Sequence, residues 1–179
     1  PFGDLPYTDQ GTTVLVVKDD GQGDLVETPL FPPEDNGMHR MVTASIGPTG
    51  DLTGTYVSDY RGQSRLEMLN RLDSKPTERE DFIEGLMSWL CPGAVLKAHE
   101  VTLPSRPEDP LRVIIRFEVP RFVTRAGNFE VLSPYLVRFP FLTRIAAYSG
   151  RRVPVFFDYP YSVTSETRPR RMPAARRIE

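Results

Sequence analysis

The chain has 179 residues, a net charge of −2, 39% hydrophobic and 26% charged residues, one Cys and two His. These values exclude a disordered chain, and no run approaches the ~18 apolar residues of a transmembrane helix. A single Cys excludes an intramolecular disulfide and a thiolate zinc cage, and two His leave no His-rich centre, so no metal or other cofactor is expected.

The length suits one large domain or two small ones. Eighteen Pro and 13 Gly favour many short strands over long helices. Residues 1–110 carry 9 basic and 19 acidic side chains, whereas residues 111–179 carry 13 basic and 5 acidic. Such a split can mark a nucleic-acid surface. The Arg residues from 112 to 152 are spaced along strands rather than clustered, so the two halves are expected to pair in one fold, with no nucleic-acid partner.

The opening Pro1-Phe2-Gly3 reads as a cut inside a longer protein, and no targeting signal is legible in it. Thr13–Val17 is a β-branched run and predicts a strand. A turn at Lys18–Gly23 leads to a second strand at Leu25–Thr28. Phe31–Gly37 reads as a loop that divides a linker from the main domain. Met41–Ile46 and Leu52–Tyr60 flank Gly47-Pro48-Thr49-Gly50-Asp51 and predict a hairpin. On its second strand Leu52, Gly54, Tyr56, Ser58 and Tyr60 share one face.

The period then changes. Leu66, Met68, Leu69 and Leu72 predict a helix over 62–72. Thr77-Glu78-Arg79-Glu80 reads as a capping box that opens a second helix. Phe82, Ile83, Leu86, Met87 and Leu90 form its apolar face, and Cys91-Pro92-Gly93 stops it. Strands resume at Val95–Leu103 and at Leu111–Val119, the clearest alternation in the chain. Arg121–Arg125 and Phe129–Leu132 predict another hairpin around Ala126-Gly127-Asn128. Tyr135–Phe139 and Val153–Phe157 are later candidates, with Pro154 marking an edge strand. Residues 168–179 hold five Arg and no apolar pattern and read as a tail.

Little in the chain points to chemistry. Cys91 with His39 or His99 has the residue types of a nucleophile and base. The thiol falls at a helix C-terminus, where the dipole opposes the thiolate, so a packed side chain is the expected role. Asp19-Asp20 and Glu34-Asp35 lack the spacing of a Ca²⁺ loop. Arg168-Pro169-Arg170-Arg171 and Arg176-Arg177 come without any nucleic-acid-binding signature. Tyr56, Tyr60, Tyr159 and Tyr161 are the candidate ligand-facing aromatics.

Pro1-Phe2-Gly3-Asp4-Leu5-Pro6, with Asp9-Gln10-Gly11 after it, resembles the segment leaving the catalytic core of bacterial transglutaminase-like cysteine-protease proteins. Leu25-Val26-Glu27-Thr28-Pro29, Pro33-Glu34-Asp35-Asn36, Gly50 to Gly54, Tyr60-Arg61-Gly62 and Arg151-Arg152-Val153-Pro154 resemble later passages of that family in the same order. The resemblance implies a C-terminal accessory β-domain that follows a core bearing a Cys-His-Asp triad. None of the triad maps onto this chain. Asp4 and Asp9 lack the Asp-Pro-Thr context of the family's carboxylate, and Cys91 lies in the accessory part. Residues 168–179 depart from the family, whose chain would continue into strands.

The expected fold is mainly β (α+β), an antiparallel sandwich-like domain with an inserted helix pair. Residues 1–36 are expected as a linker with a small hairpin, 37–165 as the domain and 166–179 as a basic flexible tail. The resemblance implies a non-catalytic accessory domain that packs on, or presents substrate to, the catalytic core of the same polypeptide. It also implies the bacterial periplasm or envelope, with an envelope protein or glycan as a further partner. The alternative is a freestanding peptide- or glycan-binding β-module.

Overall fold

The computed structural model describes residues 5–73, 75–106, 109–127, 129–131, 136–138, 150, 152 and 157–169. A 3-10 turn at Tyr7–Asp9 precedes a hairpin of β1 (Thr13–Val17) and β2 (Gly23–Glu27). Then come β3 (Met38–Ile46), β4 (Leu52–Tyr60), α1 (Gly62–Leu72) and α2 (Pro76–Leu90). The chain continues through β5 (Val95–Thr102), β6 (Leu111–Val119), β7 (Thr124–Ala126), β8 (Phe129–Val131) and β9 (Val163–Pro169). The fold is mainly β, of the α+β kind.

Five strands form one sheet in the order β5-β6-β4-β3-β9. β1 with β2, and β7 with β8, make separate two-stranded ribbons. In the large sheet the neighbours are antiparallel except β9, which runs parallel to β3 from Met38↔Val163 to Ala44↔Pro169. The sheet is therefore mixed rather than purely antiparallel. Among the described residues the layer packed on its inner face is the helix pair.

Alternation explains the sheet. Leu111, Val113, Ile115, Phe117 and Val119 of β6 are buried, while Arg112, Ile114, Arg116 and Glu118 point the other way. They face Tyr60, Ser58, Tyr56, Gly54 and Leu52 of β4 in direct register. Val42 and Ala44 of β3 extend the same face. Leu72 of α1 and Ile83, Met87 and Leu90 of α2 close over it in one continuous core. Each such side chain, fully buried, stabilises the fold by about 1.5–3 kcal/mol.

The helices start and stop by different means. Asn36, from the loop before β3, accepts the Gln63 N–H on Oδ1 at 3.1 Å, and its carbonyl accepts the Ser64 hydroxyl at 2.8 Å. A residue outside the helix thus satisfies orphan donors of α1. Gly62 (φ +50°) lies against the Asp35 carbonyl and Asn36 Oδ1, so only a glycine fits.

The capping box expected at Thr77 and Glu80 is not formed. Helix α2 begins one residue earlier, at Pro76, with Lys75 at the cap position and no side-chain cap bond. Proline is preorganised for the first helical position and holds the residue before it extended, so Thr77 falls inside the first turn. Arg79 Nε donates to the Leu72 carbonyl at 2.8 Å and ties α2 to the end of α1. The stop is as expected: the Cys91 N–H bonds the Met87 carbonyl, and Gly93 takes φ +83°.

Two boundaries differ from expectation. Residues 166–169, expected in the tail, belong to β9, where their backbone pairs with β3. The division at 36/37 also cuts through a laced segment. Ser162 N–H donates to the Pro33 carbonyl, Met38 N–H donates to the Ser162 carbonyl, and Asn36 is fully buried. Most of Tyr135–Phe139 and of Val153–Phe157, with Pro154, and all of residues 170–179 lie outside the described residues.

Candidate interaction surfaces

The four candidate tyrosines part into two pairs. Tyr56 and Tyr60 are 1% and 5% exposed and belong to the core. This corrects the expectation that they face a ligand: the β4 face they share is the one the helices cover. Burial, with Tyr56 alongside, pushes the Tyr60 phenol far above its usual range, so it stays protonated.

Tyr159 and Tyr161 are half-buried and stand together at the surface. Tyr7 joins them from the other end of the chain, and Phe157 completes a row. Ring centroids are 5.4 Å apart for Tyr7 and Tyr159, 5.7 Å for Tyr159 and Tyr161, and 5.9 Å for Tyr161 and Phe157. Successive planes are tilted by 37°, 54° and 75°. These are the offset and edge-on arrangements that aromatic quadrupoles prefer.

Helix α1 fixes the row. Tyr159 donates its hydroxyl to Glu67 Oε1 at 2.8 Å, and the Tyr7 N–H reaches Gln63 Oε1 at 3.4 Å. Burial and the Glu67 carboxylate push the Tyr159 phenol well above its usual range, so the donor persists at any physiological pH. The alternation Phe157, Tyr159, Tyr161 was the available sequence signal, and it includes Phe157, which was not singled out. Tyr7 carried none, because tertiary structure alone brings it there.

The second surface is the hairpin. Leu15, Val17 and Leu25 share one of its faces and are 62%, 67% and 75% exposed. Val16 and Val26, on the opposite face, are exposed as well. Its root is well tied. Gly11 N–H donates to the Thr28 carbonyl, Thr28 N–H to the Thr12 carbonyl, and the Thr28 hydroxyl to the Asp9 carbonyl at 2.5 Å. The buried Gln10 amide donates to the Leu5 carbonyl at 2.9 Å and accepts the Phe31 N–H at 3.2 Å.

The other candidates resolve individually. Cys91 is buried at the end of α2, and burial pushes its thiol up, the reverse of nucleophile activation. His39 is exposed on the outer sheet face, 3.4 Å from Glu166 Oε1, and His99 is exposed on the edge strand β5. Among the described residues no group of three or more His, Cys, Asp or Glu side chains is placed to hold a metal ion. Asp20 Oδ1 accepts the Gln22 N–H as an ordinary turn does. Arg168 pairs with Glu166 at 2.8 Å within β9. No helix of the described residues is long and apolar enough to cross a membrane.

No family model matches the chain, and neither a curated protein nor a solved structure matches it.

Proposed function

We propose that this chain is a non-catalytic interaction domain of a transglutaminase-like protein, packing on the catalytic core of the same polypeptide or presenting substrate to it. The β1–β2 hairpin carries the reading. A two-stranded ribbon is marginal in water, yet this one sets Leu15, Val17 and Leu25 side by side in solvent. Apolar surface gathered on an anchored projection is the usual mark of a docking element. The bacterial envelope is the compartment that goes with this reading.

The test is titration calorimetry of the chain against a separately produced transglutaminase-like core. Binding that Leu25→Asp weakens by about tenfold, a loss of ~1.4 kcal/mol, supports the reading. No heat, or heat unchanged by Leu25→Asp, sinks it. So does hydrolysis or acyl transfer by the isolated chain that Cys91→Ala abolishes.

The aromatic row favours a second reading, a freestanding peptide- or glycan-binding module, because the row is surface-exposed and fixed in place by Glu67.

A further inference from the structure

We propose that the row Tyr7–Tyr159–Tyr161–Phe157 binds an extended, proline-rich segment carrying basic residues. This inference rests on the second reading and names its ligand class.

The ring geometry selects among ligands. A flat sugar stacks best on an aromatic face that stands open and level with its neighbours. Here successive rings lean 37°, 54° and 75° against one another, so the surface is ridged rather than flat. Ridges of aromatic rings are what polyproline II ligands seat their pyrrolidines against, and such ligands are already extended before binding. A polyproline II helix repeats every three residues, about 9 Å. The span from Tyr7 to Tyr161, two ring steps of 5.4 and 5.7 Å, is of that order.

The charge beside the row selects further. Glu67, bonded to Tyr159, is exposed on α1. Asp9 sits exposed on the turn that carries Tyr7, and exposed Asp158 falls between Phe157 and Tyr159. Three carboxylates along one aromatic row complement Arg or Lys in the bound segment and repel an acidic one. The ligand is fixed in this way by two independent features, ring tilt for the prolines and carboxylates for the cations.

The experiment follows tyrosine ring resonances of the full chain during titration with a twelve-residue peptide of Arg-Pro-Pro repeats. Arg-Ala-Ala repeats, Glu-Pro-Pro repeats and a chitin hexasaccharide are the comparisons. The expected result is movement of the Tyr7, Tyr159 and Tyr161 signals, with binding about tenfold tighter than either control peptide. Tyr7→Ala and Tyr161→Ala each weaken it by about tenfold. Unchanged core methyl signals confirm that both variants fold. Equal binding of the Ala or Glu repeats, or shifts confined to other surfaces, overturns the proposal. Hexasaccharide that moves the row while the peptide does not overturns it and leaves the binding-module reading standing. If neither ligand moves the row, both fall.

Discussion

The ring of Phe117 lies over Gly54 so closely that a Cβ on residue 54 would stand 2.6 Å from Phe117 Cζ. The two residues are direct cross-strand partners on β4 and β6. The glycine is what lets a large ring lie flat in the middle of the sheet. Gly54→Ala is therefore expected to destabilise the fold by about 1–3 kcal/mol, the usual cost of overpacking. Urea unfolding checks it, and a loss below about 0.5 kcal/mol would contradict the contact.

Asp51 holds the turn after β6. Its Oδ1 accepts the Arg121 N–H at 2.7 Å and its Oδ2 accepts the Thr49 hydroxyl at 2.6 Å. The Arg121 N–H first, and Thr49 next, hold the carboxyl below its ordinary value of 3.8. A depressed folded-state pKa adds stability above the unfolded value, and that stability is lost as pH falls through the folded value. Asp51→Asn should therefore be less stable than the parent at neutral pH, and the two should converge once the pH drops below about 3.8. Thermal melts across that range decide it. A gap that stays constant in acid would show that the charge is not involved.

Arg121 itself sits at φ +51°, the one positive value outside glycine among the described residues. A side chain there costs about 1–2 kcal/mol in left-handed backbone. Arg121→Gly keeps the N–H that Asp51 accepts and should stabilise by about 0.5–1 kcal/mol. A destabilised variant, by the same melts, would mean that the guanidinium is doing something the turn needs.

Asn36 caps α1 from a distant loop. Asn36→Ala leaves the Gln63 N–H without its acceptor and should cost about 1 kcal/mol, within the range for lost N-caps. Hydrogen exchange would report it as faster exchange at the first turn of α1. Unchanged protection there would show that the cap is dispensable.

Cys91 should react slowly with a thiol reagent in the folded protein, because burial both shields the sulfur and raises its pKa. Denaturant should restore ordinary reactivity. Fast reaction in the native state would revive the thiol as a nucleophile.

The elements that could be read from sequence were those whose burial repeats locally. β1, β4, β6 and α1 have the bounds that their periods predicted, since each buries one regular face or, in β1, is a plain β-branched run. β9 escaped because Thr164, Ser165, Glu166 and Thr167 offer no apolar rhythm, and a sheet-edge strand needs none. Tyr56 and Tyr60 could not be told from surface aromatics by alternation alone, since alternation marks a face without saying what covers it. The aromatic row was half legible. Its 157–161 stretch repeats every second residue, while Tyr7 lies about 150 positions away.

The parallel seating of β9 on β3 also orders events during synthesis. β3 pairs with β4 as soon as the hairpin leaves the ribosome, but its other edge waits for residues 163–169. The Arg40 guanidinium, whose Nε donates to Ser165 Oγ across 125 positions, waits with it. During that interval the nascent chain carries an unpaired edge next to a charged group whose native partner does not yet exist. Long-range closure of this kind is slow and invites edge-to-edge association. The last described strand is thus a latch that ends the period in which the nascent chain most needs a chaperone.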